Sequence, residues 1–254
     1  VEEGDVTITA SGTGVYYIGE EVTLSGTCTD NATTVHLFMT GPNLNSNGVN
    51  LNTIADVQNG NTSSFTTTDV KADDTWSLKW NTGDIQRSLD AGGYTIYAVS
   101  KPLDKSKLSD AKYATTSIQL RSGFITATSS GAVVAKGDDL TLTGTAQGDP
   151  SNVRVWIFGK NLQLTQESAT VEDDGSFEYE LKNTRDLTAG QYFVVIQHPM
   201  MNKEFDIDAN ASGWLVGSAG SGFSPVYIRG LQASDAATAL INALDSPYVD
   251  DTYV

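Results

Sequence analysis

The chain of 254 residues carries 31 acidic against 15 basic side chains, a net charge of −16, and only 39% apolar residues. So acidic a surface repels nucleic acid and anionic lipid at long range, which sets both aside as partners, and no run of about 18 apolar residues offers a span across a bilayer. A lone cysteine, Cys28, excludes an intrachain disulfide, and the absence of an initiator Met or a signal peptide reads as a mature or excised fragment.

In chain order, the first strong signal is "GEEVTLSGT", Gly19 to Thr27, where Val22, Leu24, Gly26 and Cys28 alternate with Thr23, Ser25 and Thr27. A period of two marks a strand with one buried face. Cys28 falls on that face, which predicts a small, protonated core residue, since burial disfavours the thiolate. Val35, Leu37 and Met39 alternate with His36 and Phe38 in a second strand, and His36, on the face opposite Val35 and Leu37, is expected at the surface. Residues 43–69 form a polar, Asn-rich insertion predicted to lie on the surface, with a hairpin about Asn59-Gly60. Trp76, Leu78 and Trp80 alternate after the acidic pair Asp73-Asp74, and "LDAGGYTIYAV" from Leu89 opens a strand at Tyr94.

The second half repeats the first. "GDDLTLTGT" begins at Gly137, Val153, Val155 and Ile157 answer the second strand with Trp156 on Phe38, and "GKNL" from Gly159 meets "GPNL" from Gly41. Phe177, Tyr179 and Leu181 follow Asp173-Asp174, "LTAGQYFVVI" from Leu187 places Tyr192 on Tyr94, and "ITA" at Ile125 answers "ITA" at Ile8. Cys28 falls on Ala146, against a nucleophilic role. Two homologous domains follow, 1–122 and 123–254. Short segments rich in Val, Thr, Ile and Tyr between Gly, Asn and Asp turns predict a mostly β chain of two tandem antiparallel β-sandwiches. The Gly-x-Tyr strand starts resemble the tyrosine corner of immunoglobulin-like folds. The joint "QLRSGFITA" is short enough to predict a fixed or narrowly hinged pair.

Past the repeat, "PVYIRG" reads as the last strand of the second domain, and a helix is predicted over 234–245, N-capped by Ser234 and ended by Pro247. The tail "YVDDTYV" reads as the start of a further strand.

The chain is sparing with groups of catalytic type. His198, before Pro199, is expected at the surface like His36, and neither histidine has a nucleophile in a recognised local context. "GSAGSG" at Gly217 lacks the Lys-Ser/Thr of a phosphate loop. The acidic pairs are sequence neighbours in strands or turns, so each pair splits between two faces and does not converge. A calcium-loop spacing occurs at Asp206, Asp208 and Asn210, although Ala211 and Gly217 stand where such a loop needs Gly and Glu. The expectation is therefore no cofactor and no resident metal, calcium being the one ion for which the sequence offers a place. Asn31, Asn61 and Asn210 head Asn-x-Ser/Thr sequons in predicted loops. Trp214 and Phe223 are candidates for a contact patch.

The phrases "YYIGEEVTLSGT", "VHLFMTGPNL", "LDAGGYTIYAVSKP", "VRVWIFGKN", "GQYFVVIQHPM" and "LQASDAATALINAL" resemble those of surface-layer and large secreted surface proteins of methanogenic archaea. The resemblance implies secretion, glycosylation, a non-enzymatic structural role in the cell envelope and partners among its own copies or other envelope proteins. The alternative is a carbohydrate-binding or adhesin module using Trp214, Phe223 and the first insertion. Neither reading calls for nucleic acid or for membrane contact within this fragment.

Overall fold

A computed structural model describes residues 4–85 and 89–254. The chain divides into two compact units, Val1–Ser122 and Gly123–Val254.

The first unit contains β1 (Thr9–Ala10), β2 (Val15–Tyr17), β3 (Glu21–Thr27), β4 (Thr34–Thr40), β5 (Thr66–Asp69), β6 (Thr75–Asn81), β7 (Gly92–Val99) and β8 (Tyr113–Arg121). They form two sheets, ordered β1-β3-β6 and β2-β8-β7-β4-β5. All pairings are antiparallel except β2 with β8. This is the immunoglobulin-like arrangement, with a first strand that starts in one sheet and crosses to the other. Val22, Leu24, Trp76 and Trp80 on one sheet, with Leu37, Met39, Ile96 and Leu120 on the other, are at most 1% exposed and fill the core.

β4 and β7 also carry large apolar groups on their other face. Phe38 and Tyr97 stack at 4.6 Å with planes 6° apart, and with Val99 they join Val57, Phe65 and Leu108 in a second cluster. The insertion at 43–69 is therefore no surface excursion and forms no hairpin at Asn59-Gly60. It covers the outer face of the sheet, with Val49, Leu51, Ile54, Val57 and Phe65 all buried. Its polar residues serve the loop itself. Asn50 Oδ1 accepts from the N–H groups of Asn52 and Thr53 and from the Thr66 hydroxyl, while Asn50 Nδ2 donates to the Ser64 carbonyl. A buried amide satisfied in this way costs little and fixes the loop.

The second unit begins with β9 (Phe124–Ser129), β10 (Leu140–Gln147), β11 (Asn152–Gly159), β12 (Leu162–Thr170), β13 (Ser176–Leu181) and β14 (Phe193–His198). An inserted subdomain follows, made of β15 (Ile207–Ala209), β16 (Trp214–Gly217), β17 (Val226–Tyr227) and α1 (Ala233–Leu244), before β18 (Thr252–Tyr253). The sandwich sheets run β13-β10-β9 and β12-β11-β14-β18, and β15-β16-β17 is a separate small sheet. "PVYIRG" thus lies in the inserted sheet, and the final strand of the sandwich comes from the tail, at the place β8 occupies in the first unit. Ser234 does not cap α1 either. Gln232 takes that position without a side-chain bond, and the Ser234 carbonyl accepts from the Thr238 hydroxyl one turn on.

Ala236, Ala237, Leu240, Ala243 and Leu244 of α1 pack with Ile207, Leu215 and Ile228 onto Trp156, Phe158 and Val195. Trp156 is the counterpart of Phe38. Both units therefore bury the outer face of the same sheet, the first with the loop between β4 and β5, the second with the segment between β14 and β18.

The repeated phrases occupy equivalent places. Val22, Leu24 and Gly26 face Trp80, Leu78 and Trp76 across β3 and β6, as Leu140, Leu142 and Gly144 face Leu181, Tyr179 and Phe177 across β10 and β13. A Cβ at Gly26 would stand 1.9 Å from the Thr7 carbonyl oxygen, and one at Gly144 1.9 Å from that of Thr126, so the neighbouring strand approaches as only glycine permits. Thr82 and Thr184 each accept the N–H of the first glycine of the phrase, Gly19 and Gly137, and donate to the Glu20 and Asp138 carbonyls. Tyr94 and Tyr192 each donate a 2.7 Å hydrogen bond to the carbonyl four residues back, Asp90 and Thr188, the tyrosine-corner geometry. Each ring lies where a Cβ on Gly41 or Gly159 would stand, at 2.3 and 2.1 Å. The matched "ITA" words, in contrast, are out of register by two residues. The Thr7 and Thr27 hydroxyls meet at 2.9 Å, as those of Thr126 and Thr145 do at 2.8 Å, so Thr7 corresponds to Thr126 and Ile8 to Ala127. A slip of two keeps every side chain on its face, which is why the textual match misleads.

Candidate functional site

Both histidines are buried, not at the surface. His36 is 6% exposed and His198 0%. The covering insertion puts His36 beneath Phe65, edge to face at 5.6 Å, with both ring nitrogens outside bonding geometry. His198 bonds the Gln147 carbonyl through Nε2 and accepts the Met200 N–H at Nδ1, which defines the neutral Nε2–H tautomer. Desolvation lowers the pKa of each. Cys28 is 1% exposed, and burial raises its pKa. Asp73 and Asp174 close equivalent turns by accepting from Thr75 and Ser176. These hydrogen bonds hold both carboxyls below their ordinary pKa.

The calcium-loop spacing at Asp206, Asp208 and Asn210 does not form a loop site, because Ile207–Ala209 is a strand paired with β16. Asp208 forms an ion pair with Arg154. Arg154, the counterpart of His36 on the outer face, also donates to the Ile207 carbonyl and lies 4.1 Å from the Phe205 ring centroid. Asn210 builds the β15-β16 turn, its Oδ1 accepting from the N–H groups of Ser212 and Trp214. Only Asp206 joins other acids. It lies with Asp250 and Asp251, from the tail, and each of the three offers an oxygen within 4.8 Å of the others. The trio escapes a local motif search because more than 40 residues separate Asp206 from its partners.

This trio is cross-linked through the backbone. Asp251 Oδ2 accepts the Asp206 N–H and the Gln197 amide, and Asp206 Oδ2 accepts the Asp250 N–H. Gln197, 0% exposed on β14, also takes the Trp156 indole N–H and donates to the Ile207 carbonyl. Desolvation raises Asp251 to about 6, against the hydrogen bonds from Gln197 and Asp206 that favour its charge. Asp250 is raised too, by desolvation and then by the Asp206 carboxyl beside it.

A second feature is aromatic. Leu215 turns inward to the α1 cluster, so its strand neighbour Trp214 points out, 40% exposed. Its cross-strand partner is Tyr227, 45% exposed, and the rings lie 5.1 Å apart at 58°. Phe223 is only partly exposed and packs against the helix cluster, so the exposed patch is Trp214 with Tyr227. The sequons at Asn31, Asn61 and Asn210 all sit in exposed loops, Asn210 in the turn that carries Trp214.

The third feature is a groove of about 720 Å³ between the sheets of the second unit, lined by Leu140, Leu142, Ile157, Leu181, Tyr192 and Val194 among others. In the first unit the nine-residue β8 runs the full length of β7. In the second, β18 pairs only with Gln197 and His198, with Val254 continuing to Ile196, and the groove opens beyond it. Among the described residues no helix is long and apolar enough to cross a membrane.

No family model matches the chain, and no curated protein matches it. Among solved structures it is similar to a tetra-tandem repeat in the extending region of a large adhesion protein, with 21% identity, coverage of 78% of this chain and 46% of that one, and a TM-score of 0.31. It is also similar to the human OSCAR ligand-binding domain, at 14% identity over 78% of this chain and 92% of that chain, TM-score 0.26. Salmonella alpha-2-macroglobulin reacted with methylamine matches at 14% identity over 88% of this chain and 14% of that chain, TM-score 0.28. The chain spans less than half the length of the adhesion-protein repeat.

Proposed function

We propose that this chain is a non-enzymatic structural module of an archaeal cell envelope, of the surface-layer or surface-displayed kind, and that its partners are its own copies or neighbouring envelope proteins outside the cell. One observation carries the reading. The side chains that the two halves share, Tyr94 and Tyr192 with Thr82 and Thr184, bond to the backbone of their own unit, and the shared glycines Gly26, Gly144, Gly41 and Gly159 admit close packing within it. What was duplicated is a frame. The charge of −16 suits a surface that stays hydrated and repels nucleic acid, and the resemblance to envelope proteins of methanogenic archaea points the same way. Labelling of native envelopes with an antibody to this chain tests the proposal: a continuous label over the cell surface supports it, and label confined to the cytoplasm overturns it.

The second reading, a carbohydrate-binding or adhesin module, is favoured by the exposed ring pair Trp214 and Tyr227. Aromatic faces of this size hold sugars by apolar stacking, and rigid hairpins present them at low entropic cost. Glycan-array binding that disappears in Trp214→Ala supports this reading, and silence across the array together with concentration-dependent self-association decides for the coat.

A further inference from the structure

We propose that Asp206, Asp250 and Asp251 bind a divalent cation of the calcium class, which fastens the start of the inserted subdomain to the last strand of the second sandwich. This site stands apart from the coat and adhesin readings and survives the failure of either.

Three facts about the trio converge. Its carboxylates each present an oxygen within 4.8 Å of the other two. Three carboxylate oxygens this close can turn onto one divalent ion with small side-chain rotations, and calcium, which accepts oxygen ligands in flexible geometry, suits such a set better than magnesium, which demands near-ideal octahedral geometry. Next, Asp251 is 7% exposed, and while its Oδ2 accepts two hydrogen bonds, its Oδ1 is buried with no partner. An unpaired buried carboxylate oxygen is expensive, and a cation is the ligand that relieves it. Finally, the ion pairs to Lys or Arg seen among the described residues fall elsewhere, on Glu21, Asp208, Glu180 and Asp149. The three acids thus face one another without a basic side chain between them.

The donor set is all hard oxygen, which suits calcium or magnesium over zinc or copper. Support for the ligands is in place. The Ser218 hydroxyl bonds Asp206 Oδ1 and the Asp250 N–H bonds its Oδ2, while Asn202 Nδ2 approaches Asp250 Oδ1 at 3.4 Å; these bonds orient the carboxylates, and each oxygen keeps a second lone pair for the ion. Asp250 is the exposed member and gives the ion a path from solvent. Asp206 precedes β15 whereas Asp250 and Asp251 lead into β18, so one ion closes the loop that holds β15, β16, β17 and α1. An ion held only by the folded chain stabilises it by mass action, by RT ln(1 + L/Kd) at free-ion concentration L.

Isothermal titration of the full, chelator-treated chain with calcium chloride, paired with thermal unfolding, tests this. The expected result is saturable binding with about one ion per chain, a rise in melting temperature that saturates with it, and weaker binding of magnesium. Asp251→Asn and Asp206→Asn should each weaken calcium binding at least about tenfold, as loss of a charged ligand requires. Asp208→Asn should keep the calcium response although it breaks the Arg154 pair. Because Asn keeps an oxygen that can accept from Gln197 and Asp206, the calcium-free Asp251→Asn chain should still unfold cooperatively, which separates lost binding from lost folding. Calcium binding that is absent at millimolar concentration, or unchanged in the Asp206→Asn and Asp251→Asn chains, overturns the proposal.

Discussion

Gly144→Ala is expected to destabilise the second unit by about 3–4 kcal/mol. The added Cβ would stand 1.9 Å from the Thr126 carbonyl oxygen and 2.7 Å from Phe177 Cζ. Ordinary contact begins near 3.4 Å, so β9 must recede by about 1.5 Å. That displacement takes hydrogen bonds of normal length beyond bonding range. Losing about two ladder bonds costs roughly 2 kcal/mol, and shifting the Phe177 ring in a packed core adds about 1–2 kcal/mol. For a domain of this size the melting temperature should fall by about 10–15 °C. Scanning calorimetry of the full chain is the assay, with Gly93→Ala as the control, since a Cβ there meets only Gln119 Oε1 at 3.7 Å. The control should stay within about 0.5 kcal/mol of the parent. If Gly144→Ala melts within about 2 °C of the parent, the steric account of the repeated phrase is wrong.

Further outcomes follow from the same geometry. Gly26→Ala should cost less than Gly144→Ala in the same calorimetric assay, because the atoms nearest a Cβ at Gly26 all belong to Thr7, whereas one at Gly144 must also displace the Phe177 ring at 2.7 Å. Tyr94→Phe removes a hydrogen bond from a side chain that is 1% exposed and should cost about 1–2 kcal/mol in urea unfolding. Tyr192→Phe, at the more exposed corner, should cost less. His36 and His198 have lowered pKa values, so the unfolded chain takes up protons that the folded chain refuses. Their contribution is therefore fully present above the unfolded value of about 6.5 and falls as the pH drops below it. His36→Leu removes two unpaired buried nitrogens and should raise stability by about 1 kcal/mol at pH 7.5. The difference between His36→Leu and the parent should widen from pH 7.5 to pH 5.5 in denaturant titrations, and a constant difference refutes the assignment.

The repeat, the strand faces and the tyrosine corners were legible in the sequence because they rest on local patterns. A period of two assigns Val22, Leu24 and Cys28 to one face wherever the strand ends up. A glycine that recurs in two copies signals a shared steric need before the neighbour is known. The insertion was misread for an equally physical reason: Asn50 and its neighbours look solvated in sequence, yet their amides bond within the loop while Leu51, Val57 and Phe65 go inward. Phe38 and Trp156 were the available warning, since a large ring on the supposed outer face needs a cover.

By itself, then, the sequence determined that the chain is a duplicated antiparallel β protein with two immunoglobulin-like frames, since alternation, turn residues and repetition are properties of neighbours along the chain. Only the tertiary structure decided what covers each frame, which strand closes the second, where the histidines lie and which acids meet. Asp206 reaches Asp250 and Asp251 through the folding back of a whole subdomain, and contacts made across that distance leave no periodic trace in the sequence.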